Sequence, residues 1–380
     1  MTDKITVLYV SIDPSLGGSV ISLYSLIESV KDRVSPIVLF PEKGAGSDYF
    51  ASKGIACLFH PFVKLYEFNA NRLVDVWNHP WRWHRIKKLR IDFGCALYVK
   101  KALNGRKIDI VHTNTSPNNV GVYLSRILRA KHVWQVRECL DAHAQFPIYG
   151  GMPGLIEQIN QADARIAISQ YVRDHWKMVE RNTFLIHDAV CHTNDAVYQY
   201  PKEKYVLFVS YYITEAKGAR KAIMAFGQSR LCDEGFKLVF LGHCEMEYQV
   251  SLMDTAKKSQ CDKAIEFASA QVDVKPFFIN ASALLMTSEN EGFGRVTAEA
   301  MFYGCPVVAH ASGGTLDIIE DGETGFLFSN TTECSDRLRK VCLTDQRQMC
   351  LKAQKFAAEN FAVESYGSKV LKVYDSILTH

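Results

Sequence analysis

The sequence predicts an α/β protein of two doubly wound parallel-sheet domains facing across a cleft, and three observations carry that prediction. The chain has 380 residues, too many for one ordinary core at roughly 150 residues per domain. Short β-branched apolar runs alternate with helical patterns, the punctuation of parallel strands joined by crossover helices. That rhythm breaks near the middle of the chain and then restarts.

In the first half the apolar runs lie at 5–10, 37–40, 108–112 and 132–136, with a helical pattern over 19–30 between the first two. After residue 200 they recur at 205–210, 237–241, 264–267, 283–287 and 306–309, with a helix over 219–228. Residues 187–204 hold Asp188, Asn194, Asp195, Pro201 and further charged residues without a sustained period, so a linker is expected there. The first domain is assigned to 1–190 and the second to 200–362. Residues 363–378 space Tyr366, Val370, Val373, Tyr374 and Ile377 at helical intervals, and a helix over 363–380 is expected to pack its apolar stripe back on the first domain.

Composition narrows the function classes. Hydrophobic residues make up 48% and charged residues 22%, enough for two cores and too apolar for a disordered chain. The first 200 residues carry 24 Lys and Arg against 18 Asp and Glu, and the rest 20 against 23. That excess is too small and too scattered for a nucleic-acid partner. The eleven cysteines show no CxxC pair, which argues against a disulfide framework and a structural zinc site. His187, Cys191 and His192 lie close together in the linker but lack a fourth ligand. No apolar run approaches the roughly 20 residues of a membrane span, and the chain starts directly into a strand, so a cytoplasmic location is expected.

The stretch from Ser288 to Met301, SENEGFGRVTAEAM, follows a buried strand and leads into a helix. A strand, a glycine turn and a helix start make an anion site, because free N–H groups of the first turn point outward with the helix dipole behind them. Gly292 and Gly294 let backbone approach a ligand. Glu291 in the loop and Glu299 one turn into the helix present carboxylates to sugar hydroxyls at two depths.

Glu291 and Glu299 form an E-x7-E pair inside EGFGRVTAEAM, followed by GCPVVA and GGTLDIIEDGETGFL. With Leu16-Gly17-Gly18-Ser19, the run from Asp109 to Thr115, Val136-Arg137-Glu138-Cys139, the run from Ala162-Asp163 to Ser169, and Lys217-Gly218, this ordered set resembles family 4 of the retaining glycosyltransferases. The resemblance covers nearly the whole chain and implies the GT-B fold of two Rossmann-like domains. It implies transfer of a hexosyl-type sugar from a UDP- or GDP-linked donor to a glycan or lipid-linked glycan, in the setting of bacterial surface polysaccharide synthesis at the inner face of the membrane. Neither a metal nor a cofactor is implied.

Carried over by position, the resemblance places Glu291 against the transferred sugar. Gly292, Phe293, Gly294, Arg295 and Val296 then offer backbone donors to sugar and diphosphate, and Glu299 binds the ribose. Lys217 is the main cation on the diphosphate, Ser210 lines the donor site, and Gly17 and Gly18 close over the phosphates. Arg137 is a catalytic candidate of the first domain, at the place where relatives often carry a histidine. Many relatives also have an arginine just before the Lys-Gly pair, where this chain reads Ser210-Tyr211-Tyr212-Ile213; Arg295, Arg220 and Lys221 are the candidate substitutes.

Two other classes remain open at this stage. A nucleotide-sugar epimerase of the same fold isomerises donor without acceptor, and a non-catalytic glycan- or membrane-binding relative fits the missing arginine. A nicotinamide dehydrogenase is disfavoured because Gly17-Gly18 lacks the spaced G-x-G-x-x-G. His112 is expected to end a buried strand, satisfied by backbone. The segment 77–90 sets Trp77, Trp81 and Trp83 among Arg82, Arg85, Lys87, Lys88 and Arg90, before a stripe of Ile86, Leu89, Phe93 and Leu97. It fits either a helix packing that stripe on the sheet or a surface for anionic membranes. Residues 267–272 are expected to face the donor base.

Overall fold

A computed structural model describes residues 4–64, 81–139, 151–269, 271 and 273–379, with the side chains of 81–88 left out of the description. The chain forms two compact units. One is Met1–Ala189 together with Tyr366–His380, and the other is Val190–Ser365.

In the first unit, the described residues hold seven parallel strands: β1 (Ile5–Val10), β2 (Val34–Phe40), β3 (Ala56–Phe59), β4 (Ile110–Thr113), β5 (Lys131–Val136), β6 (Ala164–Ala167) and β7 (Thr183–Leu185). Their order is β3-β2-β1-β4-β5-β6-β7, so the chain reverses direction across the sheet between β1 and β4. In such sheets the crevice beyond the strand ends at that point receives ligands. The second unit repeats the plan with β8 (Glu203–Tyr212), β9 (Lys237–His243), β10 (Ile265–Ala268), β11 (Ala281–Met286), β12 (Val307–His310) and β13 (Phe326–Phe328), ordered β10-β9-β8-β11-β12-β13. Every residue of β11 is buried, as expected of a central strand covered on both faces.

Residues 187–204 are less irregular than the sequence suggests. They contain a short 3-10 turn at Thr193–Asp195, and Glu203 and Lys204 already belong to β8. Two charged residues at a strand's solvated end hide its start from a hydrophobicity pattern.

The helix Val363–Leu378 buries Tyr366, Val370, Val373, Tyr374 and Ile377. Its two tyrosines carry hydroxyls into the first unit's interior. The Tyr374 hydroxyl is 2.6 Å from His112 Nδ1 and 3.3 Å from that of Tyr9. Gln135 Nε2 donates to Tyr366 Oη at 2.8 Å, and Gln135 Oε1 lies 3.1 Å from His112 Nε2. His112 is therefore satisfied by side chains rather than by backbone. Burial pushes its pKa down to about 3, with Arg137 adding to the effect, so the imidazole stays neutral.

The helix Trp81–Ala102 is rolled relative to the expected stripe. Leu89, Phe93 and Leu97 are 44%, 51% and 48% exposed, while Asp92, Cys95, Ala96 and Val99 face inward. The inward face is a second apolar set, Cys95, Ala96 and Val99, continued by Leu103, which joins the core of the unit, with Asp92 on the same face accepting the Val63 N–H at 2.9 Å. Anchoring residue 92 inward turns residue 93 about 100° away, by the 3.6-residue period. Residues 77–80 and the side chains of 81–88 lie outside the described residues, as do 270 and 272 of the stretch expected to face the donor base. Among the described residues no helix is long and apolar enough to cross a membrane.

Candidate active site

The glycine turn after β11 is braced from three sides. Thr287 and Ser288 leave the strand buried, Asn290 turns with φ of 57°, and Gly294, at φ 96°, opens the helix Arg295–Phe302 as its N-cap. A left-handed N-cap suits glycine, because a Cβ there clashes with its own carbonyl. From below, Gly314 N–H donates to the Glu291 carbonyl at 2.7 Å, and Asn290 N–H donates to Ser312 Oγ at 3.1 Å. Gly313 and Gly314 permit this approach, since a Cβ on Gly314 would stand 2.3 Å from the Gly292 carbonyl oxygen. Phe293 points inward and meets the Phe361 ring edge to face at 5.3 Å.

Lys217 arrives from the end of β8 on a 3-10 turn, Glu215–Lys217, closed by Gly218 in the left-handed region. Thr287 Oγ1 donates to the Gly218 carbonyl at 2.8 Å, so the lysine turn is bolted to the root of the glycine loop. Lys217 Nζ donates to Glu291 Oε1 at 2.7 Å, and Ser288 Oγ donates to the same oxygen at 2.7 Å. The second unit thus gathers Lys217, Glu291 and the Gly292–Gly294 backbone in one place. Ser288 is a member the sequence reading missed, although its position three residues before Glu291 was a usable signal.

Glu299 pairs with Arg295 at 3.3 Å along the same helix. Burial raises the Glu299 carboxyl above the usual range, and Arg295 opposes that rise. Thr297 and Thr315 bring two buried hydroxyls that have no hydrogen-bond partner among the described residues. Both lie within 4 Å of where a Cβ on Gly294 would stand. Ser210 is less available than expected, because its hydroxyl donates to the Tyr212 carbonyl at 2.7 Å.

The candidate substitutes for the missing arginine all have partners. Arg220 reaches Glu215, Ser251 and Thr255, Lys221 pairs with Glu289, and Arg295 holds Glu299. At the position itself, Tyr211 and Tyr212 are exposed and meet edge to face.

In the first unit, Gly17 caps the helix Gly18–Ser29, its carbonyl accepting from the N–H groups of Val20 and Ile21. Arg137 departs from the expectation of a cation offered to substrate. It is buried at the end of β5, donates to Asn114, Ser22 and Tyr366, and is ion-paired with Asp188. Burial alone would depress the guanidinium, but Asp188 and Tyr366 more than reverse that. Next to it, Glu138 accepts from Ser116 N–H at 2.9 Å and Ser116 Oγ at 3.1 Å. Burial lifts this carboxyl to about 7. Among the described residues no three His, Cys, Asp or Glu side chains gather as a metal site. His187 instead meets the Ile168 carbonyl, and Cys191 donates to Tyr303.

Residues 193–359 match the family model described as glycosyl transferases group 1. Trehalose synthase of Pyrococcus horikoshii is 28% identical over 153 residues, 38% of this chain and 37% of its own length. N-acetyl-alpha-D-glucosaminyl L-malate synthase of Bacillus anthracis is 26% identical over 132 residues, 34% and 35% of the two lengths. The chain thus aligns with only about a third of these curated relatives. Whole-chain likeness appears in three dimensions. Anabaena HepE, solved with UDP and glucose, superposes with a TM-score of 0.76 at 19% identity, covering 98% of this chain and 100% of its own. A glycosyltransferase from Rickettsia africae gives 0.78 at 18% identity, covering all of both chains. At such identities the likeness speaks for the fold, which is GT-B.

Proposed function

With residues 193–359 forming a glycosyl transferases group 1 domain, we propose that the chain moves a sugar from a UDP-linked donor to a hydroxyl of a glycan or lipid-linked glycan. The observation that carries this reading is the meeting of Lys217 and Ser288 on Glu291 beside the Gly292–Gly294 turn. One cation, one carboxylate and outward N–H groups at a helix start suit a diphosphate joined to a polyhydroxyl ring. The complexes of HepE with UDP and with UDP-glucose favour uracil over guanine as the donor base.

In this reading the bond between the anomeric carbon and the diphosphate oxygen breaks as the acceptor oxygen bonds to that carbon on the same face. The acceptor's proton passes to the departing diphosphate, so configuration is retained and no protein nucleophile is used. Lys217 and the first turn of Arg295–Phe302 stabilise the charge growing on the diphosphate. Glu291 holds the sugar hydroxyls, and Glu299 takes the ribose. Arg137 then acts by holding its neighbours rather than by touching sugar. The exposed Leu89, Phe93 and Leu97 beside Arg90 support docking on an anionic membrane surface that carries the acceptor, which flotation with anionic vesicles tests.

The first experiment is thermal stabilisation by UDP, GDP, ADP and CMP in parallel. A rise with UDP alone is expected, and it should disappear in Lys217→Met. No rise with any nucleotide in a cooperatively folding sample refutes donor binding.

A further inference from the structure

A second group of cations lies in the second unit, at the opposite ends of its strands. A cavity of about 270 Å³ opens beneath the starts of β8, β11 and β12, lined there by Lys204, Ser282 and Pro306. Lys217 and the glycine turn follow the other ends of β8 and β11. Six residues of β11 at about 3.3 Å each put roughly 20 Å between the two places.

The cavity's charge is unbalanced. Lys202, Lys204 and Arg347 line it with a single acid, Asp345. Asp345 is already committed, accepting from Arg347 Nε at 2.8 Å and from the Arg347 N–H at 2.9 Å. Lys202 is the informative residue. Its Nζ donates to the Ile279 carbonyl at 2.6 Å and sits 5.2 Å above the Tyr198 ring, but no described carboxylate pairs with it. The titratable groups that act on it are the thiols of Cys305 and Cys350, both pushed well up by burial and so uncharged. Desolvation accordingly lowers the Lys202 ammonium. A part-buried cation with no counter-charge is costly and is relieved by a bound anion. Tyr198 and Tyr200 add aromatic faces, with Arg347 stacked 4.8 Å over Tyr200.

We propose that this cavity binds a phosphate monoester dianion, its phosphate on Lys202 and Lys204 and its organic part against Tyr198 and Tyr200. Three cations against one acid leave two positive charges, which a dianion neutralises. The volume admits a phosphorylated monosaccharide, and the place lies at the strand ends opposite Lys217, apart from the proposed donor site. Because Tyr198, Tyr200 and Lys202 lie on the segment that leads into β8, occupancy fixes that segment.

The test is thermal unfolding of the full chain with inorganic phosphate and with glucose-6-phosphate, each against chloride at equal ionic strength. Wild type and Lys217→Met are expected to rise alike. Lys202→Met should bind at least about tenfold more weakly, the loss expected for one charge-assisted hydrogen bond. Lys204→Met, at an exposed position, weakens binding without endangering the fold. A tighter response to glucose-6-phosphate assigns the organic half to the tyrosines, and equal responses overturn the monoester assignment. The proposal is overturned if wild type does not respond, if both Lys202→Met and Lys204→Met respond as wild type does, or if Lys217→Met abolishes the response.

Discussion

Lys217 and Glu291 stand 74 residues apart in the chain and share one ion pair, 2.7 Å long, which the Ser288 hydroxyl joins on the same carboxylate oxygen. The pair is part-buried. The two side chains are 32% and 18% exposed. The arrangement fixes the ammonium beside the Gly292–Gly294 turn, where the proposed donor diphosphate would share it.

Lys217→Met is therefore expected to lower kcat/KM by roughly 100- to 1,000-fold, the usual loss when one stabilising donor is removed from a transition state. The unfolding midpoint should fall far less than the rate, since Ser288 still donates to the Glu291 carboxylate. Steady-state transfer rates together with thermal melts check both halves. Unchanged rates in the folded variant remove Lys217 from the chemistry.

Gly314→Ala should injure the site without touching any charged group. The new Cβ would stand 2.3 Å from the Gly292 carbonyl oxygen, so the glycine turn must shift. Weaker UDP binding and a lower midpoint are expected, measured by titration calorimetry and melting. Gly94→Ala is the control. It lies in a helix with open space around it, and should leave binding alone while stabilising by about 0.5–1 kcal/mol.

The fold was largely legible because parallel strands write themselves as short apolar runs between helices, and 281–286 and 307–310 did so. The loop residues 288–294 were legible for a different reason, that glycines beside acids have few structural uses. Two things were hidden. Arg137 reads as a candidate cation in the sequence, and only the convergence of Asn114, Ser22, Asp188 and Tyr366 from distant segments shows that it is enclosed. The roll of the helix Trp81–Ala102 was hidden because the helix carries a second apolar set of smaller side chains, Cys95, Ala96 and Val99, continued by Leu103, and that set with Asp92 beside it faces the core.

Arg137→Met should destabilise the protein by about 3–5 kcal/mol, because Asp188 is left charged and buried without its partner. Adding Asp188→Asn is expected to recover part of that loss. Denaturant melts of the two single variants and the double variant measure the coupling. Equal losses in Arg137→Met with and without the second change would mean that the pair is not the cause.

Glu138 sets a pH dependence. Its folded-state pKa, about 7, lies above the ordinary 4.5. The folded protein therefore holds the proton more tightly than the unfolded chain. This contribution is fully present below about pH 4.5, falls as pH rises toward 7, and is absent above. Glu138→Gln keeps an acceptor for Ser116 and removes the titration. At pH 8 the variant should be the more stable by up to about 3 kcal/mol, and the gap should close on acidification. A gap independent of pH would contradict the assignment.

Tyr366 and Tyr374 bear on how the protein comes into being. They supply partners for Arg137, Gln135, His112 and Tyr9, yet they are made after the whole of Val190–Ser365. While the ribosome works through those residues, the first sheet is complete but its polar interior lacks these hydroxyls. The unit that is begun first is thus the one finished last, and the second, whose residues are contiguous, is free to fold before it. A fragment ending at Ala189 would carry that open polar face permanently, whereas one fused to residues 366–379 would carry its own closure.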